Sequence, residues 1–147
     1  MMPTVKDFMT KKVITIDAQK TVFEAAVLME QEGVGDVVIM DGKTPVGIVT
    51  ERDFVRRVIA KRRELDIKVA EIMTTPLRVI GPNFSLKEAA RKMVEKGIRR
   101  LPVIKDNELI GIITSTDLAK HLSKKTLTEE IQEALGHYPI PEPFDKY

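Results

Sequence analysis

The residues in this chain best suited to chemistry are two carboxylates that recur in the same setting. Gly47-Ile48-Val49-Thr50-Glu51-Arg52-Asp53 ends an apolar run with a hydroxyl and, three residues on, a carboxylate. Gly111-Ile112-Ile113-Thr114-Ser115-Thr116-Asp117 repeats the pattern, with Gly, Ile, Thr and Asp in the same places. An apolar strand running into Thr-x-x-Asp reads as the start of a helix, with the hydroxyl as cap and the carboxylate in the first turn. Such a terminus also turns free backbone N–H groups toward any bound anion. Each Asp therefore has two candidate roles, closing a helix end or holding a ligand.

Other chemistries lack their residues. The chain has no cysteine, which excludes disulfides, thiolate catalysis and Cys-based metal sites. His121 and His137 stand apart from any second His or paired carboxylates, so no metal site is expected. No nucleophile–base pair, glycine-rich phosphate loop or Gly-x-Ser-x-Gly elbow is visible, and no enzymatic activity is expected. Lys61-Arg62-Arg63 reads as a solvated helix face. Met9, Met29, Met73 and Met93 read as core filler at helical spacing.

The elements that position the two carboxylates are also duplicated. Shifting the chain by 64 residues aligns 5–54 with 69–118 without a gap, pairing Met9 with Met73, Thr10 with Thr74, Glu24 with Glu88 and Gly33 with Gly97. Each repeat opens with a short amphipathic turn, 5–9 or 69–73, and a short strand, 13–16 or 77–80. A helix follows, opened by a capping box at Thr21/Glu24 or Ser85/Glu88 and closed by Gly33 or Gly97. A hairpin comes next, turning at Asp41-Gly42 in the first copy and through 105–108 in the second. The last piece is the helix opened by Thr50 or Thr114, with Phe54, Val58 and Ile59, or Leu118 and Leu122, on its apolar face.

At 147 residues, with 43% hydrophobic and 31% charged residues, the chain suits one globular module of two small halves. A β-α-β-β-α unit of this size buries little surface alone, so the fold expected is α+β, two such repeats packed with pseudo-twofold symmetry. The boundaries expected are 1–60 for the first repeat, 61–68 for a linker, 69–123 for the second repeat and 124–147 for a C-terminal helix and Pro-rich tail. In that last segment Thr126/Glu129 reads as a capping box, and Leu127, Ile131 and Leu135 as one stripe ending at Gly136. A net charge of +2 gives no mandate for nucleic acid. No apolar run approaches the length of a spanning helix and no signal region opens the chain, so a cytoplasmic protein without membrane association is expected.

With these residues set out, the chain resembles a tandem pair of CBS (cystathionine-β-synthase) domains, a Bateman module, of the stand-alone prokaryotic type. The motifs that carry the resemblance are the two Gly-x-x-Thr-x-x-Asp stretches, Gly97-Ile98-Arg99-Arg100-Leu101-Pro102-Val103-Ile104, and the Val-x-x-x-Met-Thr openings at 5–10 and 69–74; the resemblance covers residues 5 to about 123. The resemblance implies a regulatory module that binds AMP, ADP, ATP or S-adenosylmethionine in clefts between the repeats, with no cofactor required. It places Asp53 and Asp117 on the ribose hydroxyls, with Thr50 and Thr114 on ribose or phosphate. It puts the adenine against Val13, Ile14 and Thr15 with Val37, and against Leu77 and Val79 with Pro102. It further implies a homodimer that regulates an attached or separate enzyme or transporter.

Phosphate needs cations beside a helix N-terminus, and Arg52, Arg99 and Arg100 adjoin the repeated motifs. Asp36 stands where the second repeat has Arg100. It repels a polyphosphate, so the motif at 111–117 is expected to be the better nucleotide site. Two alternatives remain: a nucleic-acid binder using Arg56-Arg57, Lys61-Arg62-Arg63 and the tail, or a ligand-free adaptor whose terminal helix and tail dock a partner protein.

Overall fold

The structure, a computed structural model, describes residues 2–120, 131 and 133–136. The fold is α+β and comprises two compact units. One unit is contiguous, Val13–Arg78; the other joins Met1–Lys12 to Val79–Tyr147. The compact units therefore differ from the sequence repeats, because each repeat's opening segment packs with the other repeat's sheet.

In the contiguous unit, β1 (Thr15–Asp17) runs parallel to β2 (Asp36–Asp41), which pairs antiparallel with β3 (Thr44–Thr50). Helix α2 (Val22–Glu32) links β1 to β2, after a first short helix α1 (Val5–Phe8) that belongs to the other unit. Thr21 Oγ1 accepts from the Glu24 N–H at 3.0 Å, and Gly33 ends α2 at φ 65°. One sheet face, with Val37, Ile39 and Val49, packs against Val22, Ala25 and Met29 of α2 and against Val58, Val69 and Ile72.

Helix α3 (Glu51–Asp53) continues directly into a π-helical stretch, Phe54–Ile59, closed by Ala60 N–H to Val55 O at 2.9 Å. An ordinary helix was expected there. The wider turn leaves Val58 in the core and turns Ile59, read from spacing as an apolar-face residue, out to solvent at 69% exposure.

The second unit repeats the plan with α4 (Leu86–Lys96), β4 (Arg100–Lys105), β5 (Glu108–Thr114) and α5 (Ser115–Lys120). Here the strand expected at 77–80 shrinks to a parallel bridge between Ile80 and Val103. In the first unit, the ladder extends because Ala18 N–H donates to Met40 O at 2.8 Å; the aligned residue is Pro82, which has no N–H to give. The hairpin turns also differ. The turn expected at Asp41-Gly42 is centred one residue later, since Asp41 pairs with Thr44 across Gly42-Lys43. In the second unit Asp106 and Asn107 both hold positive φ, 50° and 66°, between the paired residues Lys105 and Glu108.

Of the expected C-terminal helix, 131 and 133–135 are helical and Gly136 closes them at φ 61°. Ile131 is fully buried in this unit's core with Leu86, Ala90 and Leu118, and Lys87 Nζ lies 2.6 Å from Glu133 Oε1. Leu122, His121, Leu127, the Thr126/Glu129 box and the Pro-rich tail lie outside the described residues.

The opening segments meet the sheets at the motif glycines. Thr10 exchanges two hydrogen bonds with Ile112 of β5, at 2.8 and 2.9 Å, and Thr74 exchanges two with Ile48 of β3, at 2.8 and 3.2 Å. Met9 Sδ fills the space a side chain at Gly111 would take, and Met73 Sδ does the same at Gly47. The two signatures that carried the resemblance, Met-Thr and Gly-x-x-Thr-x-x-Asp, are thus packing partners across repeats.

Candidate functional site

Both Thr-x-x-Asp motifs form the caps that their spacing predicts. The Thr50 N–H donates to Asp53 Oδ2 at 2.8 Å, with the Thr50 hydroxyl at 3.3 Å from the same oxygen. Thr114 repeats this with Asp117 Oδ2, N–H at 2.8 Å and hydroxyl at 3.0 Å, and its Oγ1 accepts from the Asp117 N–H at 3.1 Å. Both ends of the reciprocal box are therefore closed at the second motif.

A cap alone does not mark a site, because the chain uses the same device elsewhere. Thr4 with Asp7, Thr21 with Glu24 and Ser85 with Glu88 pair in the same way. Those acids are exposed, and the Thr4 and Thr21 bonds hold the Asp7 and Glu24 carboxyls below their ordinary pKa values. Asp53 and Asp117 are only 8% exposed, the two charged residues that are buried among those described. Burying a carboxylate is costly and helix capping does not require it. Each cap uses Oδ2 and leaves Oδ1 to meet something else. At Asp53 that oxygen lies 3.5 Å from Arg57 Nε.

The hairpins bring further residues to these caps. Arg100 is the register partner of Thr114 and Asp36 that of Thr50, so each unit's distinguishing charge stands directly across the ladder from its motif hydroxyl. The helix start also holds the preceding loop, through Ser115 N–H to Arg99 O at 2.8 Å and Glu51 N–H to Gly35 O at 3.1 Å. Arg52 and Arg99 have exposed side chains.

The adenine candidates divide by sheet face. Side chains alternate along a strand, and Val37 lies in the core cluster with no exposed surface, with Ile14 packed against that cluster. Neither presents a wall to a base on the opposite face. The residue aligned with Pro102 is Val38, which stands on the opposite sheet face from Val37 and, like it, has no exposed surface. Val38 is the register partner of both Thr15 and Ile48, and Pro102 that of Ile112. Both Val38 and Pro102 are buried yet lie outside the core clusters. The Thr15–Val38 pair stands two residues from the Asp36–Thr50 pair, about 7 Å along the strand, a spacing that suits a base and its ribose. Val13 and Val79 are half-buried. Leu77 belongs to the contiguous unit, whereas Val79, Pro102 and Asp117 belong to the other, so the second group is not assembled within one unit.

Arg57 was read only as part of a basic surface. Its Nη1 instead donates to the carbonyls of Ile72 and Met73, and Arg63 Nη2 pairs with Glu71 at 2.9 Å. Two cations of the nucleic-acid alternative thus bind the protein itself. Two open recesses, about 430 Å³ beside Met29 and Phe54 and about 550 Å³ beside Phe84 and Arg91, are lined by neither motif's Thr or Asp. Among the described residues no group of three or more His, Asp or Glu could hold a metal ion, and no helix is long and apolar enough to cross a membrane.

Comparison with known proteins agrees with the duplicated geometry. The family model described as CBS domain matches twice, over residues 5–60 and 69–124. The chain is 40% identical over 118 residues to the CBS domain-containing protein YhcV of Bacillus subtilis, covering 80% of this chain and 84% of that one. Among solved structures, an uncharacterized conserved protein from Pyrococcus horikoshii matches with a TM-score of 0.78 and 34% identity, over 85% of this chain and 96% of that one. The CBS domain pair of protein MJ0100, solved in complex with methylthioadenosine and S-adenosyl-L-methionine, matches with a TM-score of 0.76 and 26% identity, over 84% and 98% of the two chains. Two matches in tandem, two buried Thr-x-x-Asp caps and two copies of one hairpin place this chain in the CBS-domain family, as a CBS pair.

Proposed function

We propose that this CBS pair is a non-catalytic regulatory module that binds an adenosine-containing ligand, AMP, ADP or ATP first and S-adenosylmethionine next, and passes its occupancy to a partner protein. The observation that carries this reading is the second motif. Asp117 is a buried carboxylate with one oxygen committed to Thr114, and Arg100 stands across the ladder from that same Thr114. A ribose hydroxyl pair meets Asp117, a phosphate meets Arg100 and the Thr116 N–H, since Ser115 and Asp117 donate theirs to Arg99 O and Thr114 Oγ1, and Pro102 and Val79 border the base. The related pair that was solved with two adenosyl compounds supports this ligand class. At the first motif Asp36 takes the place of Arg100, which favours ligands with few phosphates there. The module acts in the cytoplasm as a homodimer, and its output goes to an enzyme or transporter.

Isothermal calorimetry with AMP, ADP, ATP and S-adenosylmethionine tests the proposal. Asp117→Asn keeps an oxygen that can cap the helix but loses a charged acceptor. Loss of hydrogen bonds to a charged group should weaken the tighter site roughly tenfold to a hundredfold. Arg100→Met should weaken ATP binding and leave adenosine binding nearly unchanged. Failure of all four ligands to bind would refute the reading, as would equal losses from Asp117→Asn and from Arg78→Ala, which has no assigned role in the site.

A further inference from the structure

Arg57 has no part in the ligand chemistry above, yet its side chain joins two features of the first motif. Its Nε lies 3.5 Å from Asp53 Oδ1, the oxygen that Thr50 leaves over. Its Nη1 donates to Ile72 O at 3.2 Å and Met73 O at 3.0 Å. Those carbonyls belong to the segment whose Met73 fills the space over Gly47 and whose Thr74 pairs in both directions with Ile48. The same segment runs on to Val79, where the chain enters the other unit. Arg57 also sits inside the π-helical stretch, a rare geometry that is found disproportionately at functional sites.

We infer that Arg57 is a positioning residue that couples occupation of Asp53 to the docking of residues 69–78. The ligand half of this inference rests on the proposed ribose role of Asp53. Anchored on Oδ1, the planar guanidinium is aimed so that Nη1 meets the two carbonyls. A ribose hydroxyl that donates to Oδ1 competes with Nε and removes that anchor. Ligand at Asp53 and docking of 69–78 therefore oppose each other, and by linkage each weakens the other by the same factor. The position aligned with Arg57 in the second repeat is His121, which lacks the fork, so the coupling belongs to the first motif alone.

Hydrogen exchange of the Thr74 and Ile48 amides, followed by NMR, reads the docking without ligand. In the ligand-free protein, Asp53→Asn should speed Thr74 exchange roughly two- to fivefold, as expected for a partly exposed ion pair. Arg57→Met should do the same, Arg57→Lys should fall between, and the Asp53→Asn/Arg57→Met pair should add nothing to Arg57→Met alone. Asp117→Asn, which weakens the equivalent cap where no Arg follows, should leave Thr10 exchange unchanged. Adenosine should speed Thr74 exchange in the wild type and have no effect in Arg57→Met. Unchanged ligand-free exchange in both Asp53→Asn and Arg57→Met overturns the tether, whatever adenosine does. Ligand-free changes without adenosine binding overturn the ribose reading, and with it the ligand half of the coupling. Adenosine binding that slows Thr74 exchange or leaves it unchanged overturns the coupling itself.

Discussion

Gly111→Ala tests the junction between the opening signature and the second motif. A Cβ on Gly111 would stand 2.5 Å from Met9 Sδ, 3.0 Å from Met9 Cγ and 2.9 Å from the Thr10 carbonyl oxygen. Comfortable contacts between such atoms begin near about 3.5 Å. The thioether can swing aside, because Met has three rotatable bonds. The carbonyl cannot move without stretching the Thr10–Ile112 pair, whose bonds measure 2.8 and 2.9 Å. Overpacking of this kind costs about 1–3 kcal/mol, and losing one of the two bonds adds about 1 kcal/mol. The expected destabilisation is therefore about 2–4 kcal/mol, read as a lower urea midpoint at unchanged slope. Gly97→Ala is the control. Nothing lies within 4 Å of its would-be Cβ, and its φ of 64° makes the left-handed backbone the only cost, about 1 kcal/mol. Met9→Ala should rescue Gly111→Ala only in part, because the carbonyl clash remains. A Gly111→Ala variant no less stable than Gly97→Ala, or one fully rescued by Met9→Ala, would refute the close backbone approach on which this reasoning depends.

Further outcomes are expected at other elements. Ile131→Ala should destabilise the protein by about 2–5 kcal/mol in denaturant unfolding, because Ile131 is fully buried in the core with Leu86 and Leu118; a loss below about 0.5 kcal/mol, the range of a surface change, would remove it from that core. Replacing Asp106-Asn107 by Asn-Gly should stabilise the second hairpin by up to about 1 kcal/mol, since both residues already hold positive φ; a lower melting temperature would contradict the turn geometry. The Glu24 carboxyl sits below its ordinary pKa of 4.5, first through the Thr21 N–H and then through the Thr21 hydroxyl. A depressed folded pKa stabilises above the unfolded value, and that contribution is lost as pH falls through the folded one. The wild type should therefore exceed Glu24→Gln in melting temperature at neutral pH, and the two should converge as the solution is acidified below about 4.5. A difference that persists at low pH would show that the carboxylate charge is not what the cap uses.

Local features were legible in the sequence where one side chain dictates one geometry. Thr21/Glu24 and Ser85/Glu88 close their helix ends as spacing predicts, and Gly33 and Gly97 take the left-handed conformation that ends a helix. Thr50/Asp53 and Thr114/Asp117 were legible as caps, but their burial was not, since the exposed Thr4/Asp7 pair has the same spelling. Errors came where neighbours decide. Ile59 was placed on the apolar face by a period that the π-helical turn does not keep. Val37 and Val38 stand on opposite faces of β2, and the register that sets Val38 beside Thr15 and Ile48 has no local signature. Arg57 read as one more surface cation because its partners are main-chain carbonyls fifteen and sixteen residues away, which have no sequence signature.

The sequence by itself determined that this protein is built from two copies of one unit, each ending in a Thr-x-x-Asp motif. Repetition, capping chemistry and turn residues all act locally and can be read from one copy. It also determined that the copies are unequal, since Asp36 and Arg100 occupy aligned places, and the register later set each beside its motif Thr. Only the tertiary structure decided which opening serves which motif. Met9 and Met73 are the same residue, as are Gly47 and Gly111, so either pairing satisfies local chemistry equally well. The chain sets Met9 over Gly111 and Met73 over Gly47, and that choice depends on contacts between residues about a hundred positions apart in one case and fewer than thirty in the other, which no local pattern encodes.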